Sequence, residues 1–334
     1  MLKVWQITGR AILGVVIGVV ALAAVACTAA SSPTPEPPPK DPIVFADLSW
    51  DSAKLQNRIA MFILERGYGY PVDVISGDTI ALFDELLKGT TQVTMEIWLP
   101  NQQEAWDLAV GDGSVISLGR SLDDNWQSTF AVPQYVLNEN PGLTSVQDLR
   151  KFKDLFVTPD SDGKARLVTC VVGWECENIN EQKVAAYGLT DVVELVSPRS
   201  EAALFASLEG AYVKRDPWLG YMWGPTKTAS ELDLAMLTEP KCGVDVGPET
   251  GCAYPATRVL IAVHPSLITR APEVVEFLRL WRFPAPSQIA AVEWMADRDA
   301  SIDEGAIWFL QNHDIWADWV PPDVEQRVKE ALAN

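Results

Sequence analysis

Apolar and polar positions alternate between two periods from Ile43 onward. Ile43–Leu48 is a continuous apolar run and predicts a buried strand. Over Ser52–Glu65 the spacing changes, and Leu55, Ile59, Phe62 and Ile63 fall on one face of a predicted helix that stops at Gly67. Val72–Ile75 returns to strand spacing. Ser76-Gly77-Asp78 starts a second helix, whose Ile80, Phe83, Leu86 and Leu87 face inward before Gly89. Thr91–Trp98 is a third strand. This strand–helix alternation predicts an α/β fold with a mostly parallel sheet covered by helices. In such sheets ligands sit beyond the carboxyl ends of the strands, where Trp50 and Trp98 fall.

A second unit begins near Phe130. Ala131–Leu137 has strand spacing around Pro133 and is expected to cross between units. Leu167–Val171 and Pro217–Trp223 are further strands, and Ser200 starts a helix carrying Leu204 and Leu208. Arg258–Val263 is a strand returning to the first unit, and Pro272 and Trp-rich helices complete it. At 334 residues the chain is long for one core and suits two lobes. The expected division is 41–128 with 250–334 for the first lobe and 129–249 for the second.

The residues before this are of another kind. Lys3 and Arg10 precede an uncharged apolar run, Ala11–Ala26, ending in Ala24-Val25-Ala26-Cys27. Residues 1–26 read as a lipoprotein signal with Cys27 as the acylated first mature residue, because the run is short for a span of about 20 residues. Residues 27–40, with Pro33, Pro35 and Pro37-Pro38-Pro39, read as an extended tether. The chain is therefore expected outside the cytoplasm, held to a membrane by lipid. Of five cysteines, lipidation of Cys27 leaves four, which can pair there. Proximity favours Cys170 with Cys176 and Cys242 with Cys252 among the three possible connectivities.

A net charge of −19 makes nucleic acid or an anionic membrane surface a poor partner. The two histidines, His264 and His313, lie far apart and in no motif. There is no Gly-x-Ser-x-Gly, no His-Glu-x-x-His and no Gly-rich phosphate loop, so neither an enzyme nor a cofactor or metal is expected. Asp160-Ser-Asp-Gly163 lacks the ligand series of a calcium loop and reads as a turn.

The informative chemistry is in the 13 tryptophans. Trp281, Trp294, Trp308, Trp316 and Trp319 sit at helical spacing and read as packing, as do Trp106, Trp126 and Trp218. Trp174 is different. It lies in Cys170-Val-Val-Gly-Trp-Glu-Cys176, a loop that a disulfide would hold in nearly one direction. Trp98 and Trp223 sit where strands end. Indole faces converging from such places suit a cation that cannot donate hydrogen bonds, such as a quaternary ammonium. A carboxylate on the same ligand would need separate donors, and the backbone N–H groups of Glu175 and Cys176 are candidates.

Several segments resemble the extracytoplasmic substrate-binding proteins of ABC importers for glycine betaine, proline betaine and choline. They are Ala46-Asp-Leu-Ser-Trp50, Gly67-Tyr-Gly-Tyr70, Gly77-Asp-Thr79, Met95-Glu-Ile-Trp98, Gly173-Trp-Glu-Cys176, Ala186-Tyr-Gly-Leu189 and Pro217-Trp-Leu-Gly-Tyr-Met-Trp-Gly-Pro-Thr226. The resemblance runs from about Ile43 to the end. It implies a two-lobed periplasmic-binding-protein fold of type II, joined by two crossing strands. It implies a cage at Trp98, Trp174 and Trp223, with the carboxylate held by amides of the Cys170–Cys176 loop. Trp50 and Tyr135 match aromatic positions used in some members. Gln102 stands where some members have a His that helps hold the carboxylate, and Asp51 is an acid beside the cage that would favour a purely cationic ligand. The implied partners are a quaternary amine, a permease subunit and, through it, an ATPase subunit. Choline or carnitine as ligand, or a sensory or adaptor role on the same fold, are the alternatives.

Overall fold

Strands that alternate with helices bury both faces of their sheet. Residues 40–122, 127–224, 226–243 and 247–333 show this arrangement in the computed structural model. The signal segment, Cys27, the tether up to Pro39 and Trp126 lie outside these described residues. The first lobe is built from β1 (Ile43–Leu48), α1 (Asp51–Phe62), β2 (Val72–Gly77), α2 (Thr79–Lys88), β3 (Val93–Leu99), α3 (Gln103–Gly111) and β4 (Ile116–Arg120). The second contains β5 (Gln127–Pro133), α4 (Gln134–Glu139), α5 (Leu149–Phe152), β6 (Ala165–Val168), α6 (Glu175–Ala186), β7 (Val193–Val196), α7 (Glu201–Lys214), β8 (Gly220–Gly224), α8 (Lys227–Glu231) and β9 (Leu234–Met236). The chain then returns through β10 (Arg258–Val263), α9 (Ser266–Arg270), α10 (Pro272–Leu280), α11 (Ala285–Arg298), α12 (Ile302–Asn312) and α13 (Pro322–Leu332).

Each lobe holds a five-stranded sheet, in the orders β2-β1-β3-β10-β4 and β7-β6-β8-β5-β9. One strand in each is reversed: β10 is antiparallel to β3 and β4, and β5 is antiparallel to β8 and β9. These are the strands that enter from the other lobe, whereas the rest arrive over covering helices and stay parallel. The mostly parallel sheets expected from the sequence are therefore present. β3 is buried along its whole length, as a central strand covered on both faces must be.

Three local expectations are corrected. The first helix does not stop at Gly67. It loosens into a π-helical turn over Ile63–Tyr68 and ends at Gly69, where φ is 72°. Gly67 is instead a contact point, since a Cβ there would lie 2.6 Å from Val324 Cγ1 of α13. The strand expected over Ala131–Leu137 ends at Pro133, which has no N–H to continue the ladder, and α4 follows. Finally, the segment around residue 250 packs on α6. The Tyr254 hydroxyl donates to Asn180 Oδ1 at 2.8 Å, and Gly251 lies against Ala186. We place the return to the first lobe between Tyr254 and Arg258, beyond the boundary at 250 suggested by sequence.

Trp281, Trp316 and Trp319 are fully buried, and the Trp281 and Trp319 rings pack 4.3 Å apart. Trp106 and Trp218 are buried too, while Trp294 and Trp308 stack on each other with part of their surface in solvent. The second lobe also buries an ion pair. Lys183 Nζ lies 2.7 Å from Glu239 and 3.8 Å above the Tyr254 ring, with no solvent exposure at Lys183. Burial pushes the Lys183 ammonium below its ordinary range, and Glu239 opposes that. Removing one partner leaves an uncompensated buried charge. Lys183→Met should lower the free energy of unfolding by about 3 kcal/mol, and adding Glu239→Leu should recover most of it, as measured by urea denaturation.

Candidate functional site

Two helices begin on a tryptophan. Trp50 follows β1 and precedes α1; Trp174 follows the β6 loop and precedes α6. Both have extended backbone at the N-cap. Trp98 lies near the end of β3 and Trp223 near the end of β8. All four therefore stand at carboxyl ends of parallel strands, two from each lobe, and they meet between the lobes. Ring centroids are 6.5 Å apart for Trp50–Trp98, 4.9 Å for Trp50–Trp174 and 5.3 Å for Trp174–Trp223. The planes cross at 81°, 69° and 73° respectively, the edge-to-face arrangement that aromatic quadrupoles favour.

With Tyr221, Thr79, Asn101, Gln102, Glu175 and Cys176, these rings line a cavity of about 400 Å³ including its opening. Among the described residues the lining contains no Lys, Arg or His, and its one acid is Glu175, whose carboxyl is pushed up by burial. The Asn101 and Gln102 side-chain oxygens have no hydrogen-bond partner among the described residues. Each amide is thus able to offer either its oxygen or its NH₂ to a ligand.

Cys170 is bonded to Cys176, and Cys242 to Cys252. The first bond closes the loop that carries Trp174. Gly173 in this loop has φ 84° and lies against the other lobe, where an added Cβ would sit 2.5 Å from Asp78 Cγ. Conformation and space both require glycine there. The Trp174 indole N–H donates to Ser49 Oγ at 2.7 Å, a second contact between lobes.

The structure brings Trp50, Trp98, Gln102, Trp174, Glu175, Cys176 and Trp223 to one cavity. It does not bring Tyr135 there. Tyr135 lies in the first turn of α4, packs on Tyr212 and donates to the Asp216 carbonyl oxygen at 2.7 Å. The aromatic place is filled by Tyr221, which sequence reasoning passed over. Its signal is its position two residues before Trp223, which puts both side chains on one face of β8, with rings stacked at 5.9 Å. Thr79 and Asn101 were also missed; Thr79 is the first residue of α2, just after β2, and Asn101 lies in the turn between β3 and α3. Asp51 is outside the cavity lining. Its backbone N–H donates to Glu201 Oε2 of α7 at 2.8 Å, so it bridges the lobes.

Two α/β lobes with an aromatic cavity between their strand ends define a two-lobed solute-binding protein. The chain belongs to the family described as the substrate binding domain of ABC-type glycine betaine transport systems (OpuAC), whose model matches residues 41–312. It is 26% identical over 270 residues to the glycine betaine/proline betaine-binding periplasmic protein of Escherichia coli K12, covering 75% of this chain and 78% of that one. It is 24% identical over 236 residues to the glycine betaine-binding periplasmic protein OusX of Dickeya dadantii, covering 65% and 69%. Among solved structures, the glycine betaine/L-proline-binding protein ProX of Borrelia burgdorferi aligns with a TM-score of 0.72 at 19% identity, over 86% of this chain and 99% of that one. An ABC-transporter choline binding protein in complex with choline also aligns at 0.72, with 22% identity over 87% and 98%. These two likenesses show the fold.

The bridge between Asp51 and Glu201 responds to pH. Burial, and then the Asp51 carboxylate, push the Glu201 carboxyl up to about 8 from its ordinary 4.5. Between these values the folded chain keeps a proton that the unfolded chain releases, so stability falls as pH rises through that window. Between about pH 5 and about pH 8, the wild type should lose about 1–3 kcal/mol more than Glu201→Gln, measured by denaturant titration at each pH.

Proposed function

We propose that the chain is the extracytoplasmic solute-binding lipoprotein of an ABC importer, and that it holds glycine betaine or a related quaternary ammonium osmolyte in an inter-lobe Trp cage. The observation that carries this reading is the meeting of Trp50, Trp98, Trp174 and Trp223 in a cavity whose lining, among the described residues, has no cationic side chain. A trimethylammonium group has no N–H to donate and spreads its charge over methyls. Indole faces attract it by about 0.5–2 kcal/mol each, more when water is excluded. A few rings then supply a large part of the roughly −8 kcal/mol of micromolar binding.

The carboxylate of a betaine would take the amides of Glu175 and Cys176 at the start of α6, where the helix dipole also favours an anion. Gln102, and with it Asn101, can turn an NH₂ toward the same end. Closure excludes water and strengthens both sets of contacts. The lobe-bridging bond from Trp174 to Ser49 ties cage formation to closure, and the permease, and through it the ATPase subunit, would recognise the closed form. Cys27 would carry the lipid that keeps the protein at the membrane.

Choline is the second reading. The Asp51 carboxylate at the bridge is an acid beside the cage, which favours a ligand with no carboxylate.

Tryptophan fluorescence of the mature protein, titrated with glycine betaine, proline betaine, choline, carnitine and proline, tests both readings. A saturable change with betaines is expected, and silence toward all five compounds would remove the proposal. Trp174→Ala should weaken binding at least tenfold by calorimetry with its unfolding transition retained; unchanged affinity would take Trp174 out of the cage.

A further inference from the structure

The residue between the two first-lobe cage tryptophans carries a group that the reading above leaves unused. Glu96 lies on β3 two positions before Trp98, hence on the same face of the strand, and is completely buried. Its Oε2 accepts the indole N–H of Trp50 at 2.6 Å and of Trp98 at 2.8 Å. Its Oε1 accepts Ser52 Oγ at 2.9 Å and Gln56 Nε2 at 2.5 Å. Two cage rings are thus pinned by one carboxylate.

The donors favour an ionised carboxylate. An indole N–H can only donate. Gln56 has its oxygen occupied by Ser121 Oγ at 2.5 Å and by the Trp281 indole N–H at 3.2 Å, so its NH₂ must face Glu96. Three of the four partners are therefore obligate donors, and only Ser52 is able to accept. A proton on Oε2 would point at N–H groups, and one on Oε1 would have Ser52 Oγ as its single acceptor, whereas an ionised carboxylate accepts from all four. Burial raises the carboxyl, and the bonds from Trp50, Trp98, Ser52 and Gln56 oppose this without cancelling it, so a cation in the cavity tips the group further toward its ionised form. Among the described residues no Lys, Arg or His forms an ion pair with Glu96. A buried charge is costly without a counter-ion, and the cavity lined by Trp50 and Trp98 lies one ring away from this carboxylate.

We propose that Glu96 is the charge-selecting residue of the cage: an ionised carboxylate, sealed behind Trp50 and Trp98, for which the bound ammonium is the counter-ion. It acts in two ways. Its field crosses a water-free layer one ring deep, where attraction is weakly screened. Its hydrogen bonds also draw electron density toward the ring faces, which deepens the attraction for a cation. Glu96 is a positioning residue as well, since its two indole bonds fix the rings near 81° to each other.

This inference rests on the quaternary ammonium reading, and the test separates the two. Calorimetry compares glycine betaine with 3,3-dimethylbutanoate, and choline with 3,3-dimethylbutan-1-ol. Each pair has one shape, with and without the positive charge. If wild type binds neither betaine nor choline, the ligand reading fails first. If it binds one, Glu96→Gln should reduce the preference for the cation over its carbon isostere at least tenfold, while isostere affinity changes less than threefold. Equal losses for both members of a pair would make Glu96 a structural support only and overturn the proposal, as would an unchanged preference. Should Glu96→Gln not fold, infrared difference spectra on binding decide. In a variant carrying Glu201→Gln, Glu175→Gln and Asp51→Asn, which removes the other carboxyls raised by burial around the cavity, a protonated-carboxyl band lost or shifted on binding would mean a neutral Glu96 in the free protein and overturn the proposal. An ionised-carboxylate band that shifts on binding upholds it.

Discussion

A buried indole must place its N–H, and where it does so decides where its face points. Trp50 and Trp98 both place theirs on Glu96, inside the first lobe. Trp174 places its own on Ser49, in the opposite lobe. These bonds draw the polar edges away from the cavity and leave the π faces and ring edges to line it. The rings still touch, at 4.9 and 5.3 Å between centroids, but they meet edge to face, whereas Trp281 and Trp319 in the core lie at 4.3 Å and only 34° apart. The same residue type makes core in one place and cavity wall in the other, and the hydrogen-bond partner of the N–H is what differs.

The two halves of the wall belong to different lobes, so the wall exists only when the lobes meet. Trp174–Ser49, Asp51–Glu201 and the approach of Gly173 to Asp78 are all contacts across that boundary. A ligand favours closure only by the difference in what it contacts in the two states. In the proposed cage, rings from both lobes around one cation would supply such a difference, since either lobe alone offers one pair of rings and the two together offer four. The Cys170–Cys176 bond restricts the loop that carries Trp174 and so would hold that ring pre-set for the ligand.

Much of the frame was legible in the sequence, for stated reasons. Strand and helix periods along 43–98 are strong because β1 and β3 are buried on both faces and α1 and α2 on one. The Trp174 loop was legible because cysteines six apart leave the chain few paths. What failed was tertiary in origin. Pro133 ends a strand whose apolar spacing runs on to Leu137, and only the backbone shows that those later residues are helical. Tyr135 was placed by resemblance, yet its hydroxyl has a partner at Asp216 that turns it away. Glu96 was visible only as a letter in Met-Glu-Ile-Trp. A carboxylate in an otherwise apolar strand should have signalled a buried polar group with several donors.

That carboxylate also separates two electrostatic scales. The chain carries a net charge of −19, and most of that charge lies on the surface, where water and salt screen it within about 10 Å. It raises the general attraction for cations and cannot distinguish an ammonium from a sodium ion. Glu96 is one charge, but it is dry, fixed by four bonds and separated from the cavity by aromatic rings. Those rings exclude a small hydrated cation, which would lose its water and regain no oxygen ligand from the indole faces. A methylated ammonium loses little hydration on entry and fits against the faces. Selection in the proposed cage thus comes from pairing a charge that cannot be touched with a surface that only a soft, bulky cation can approach.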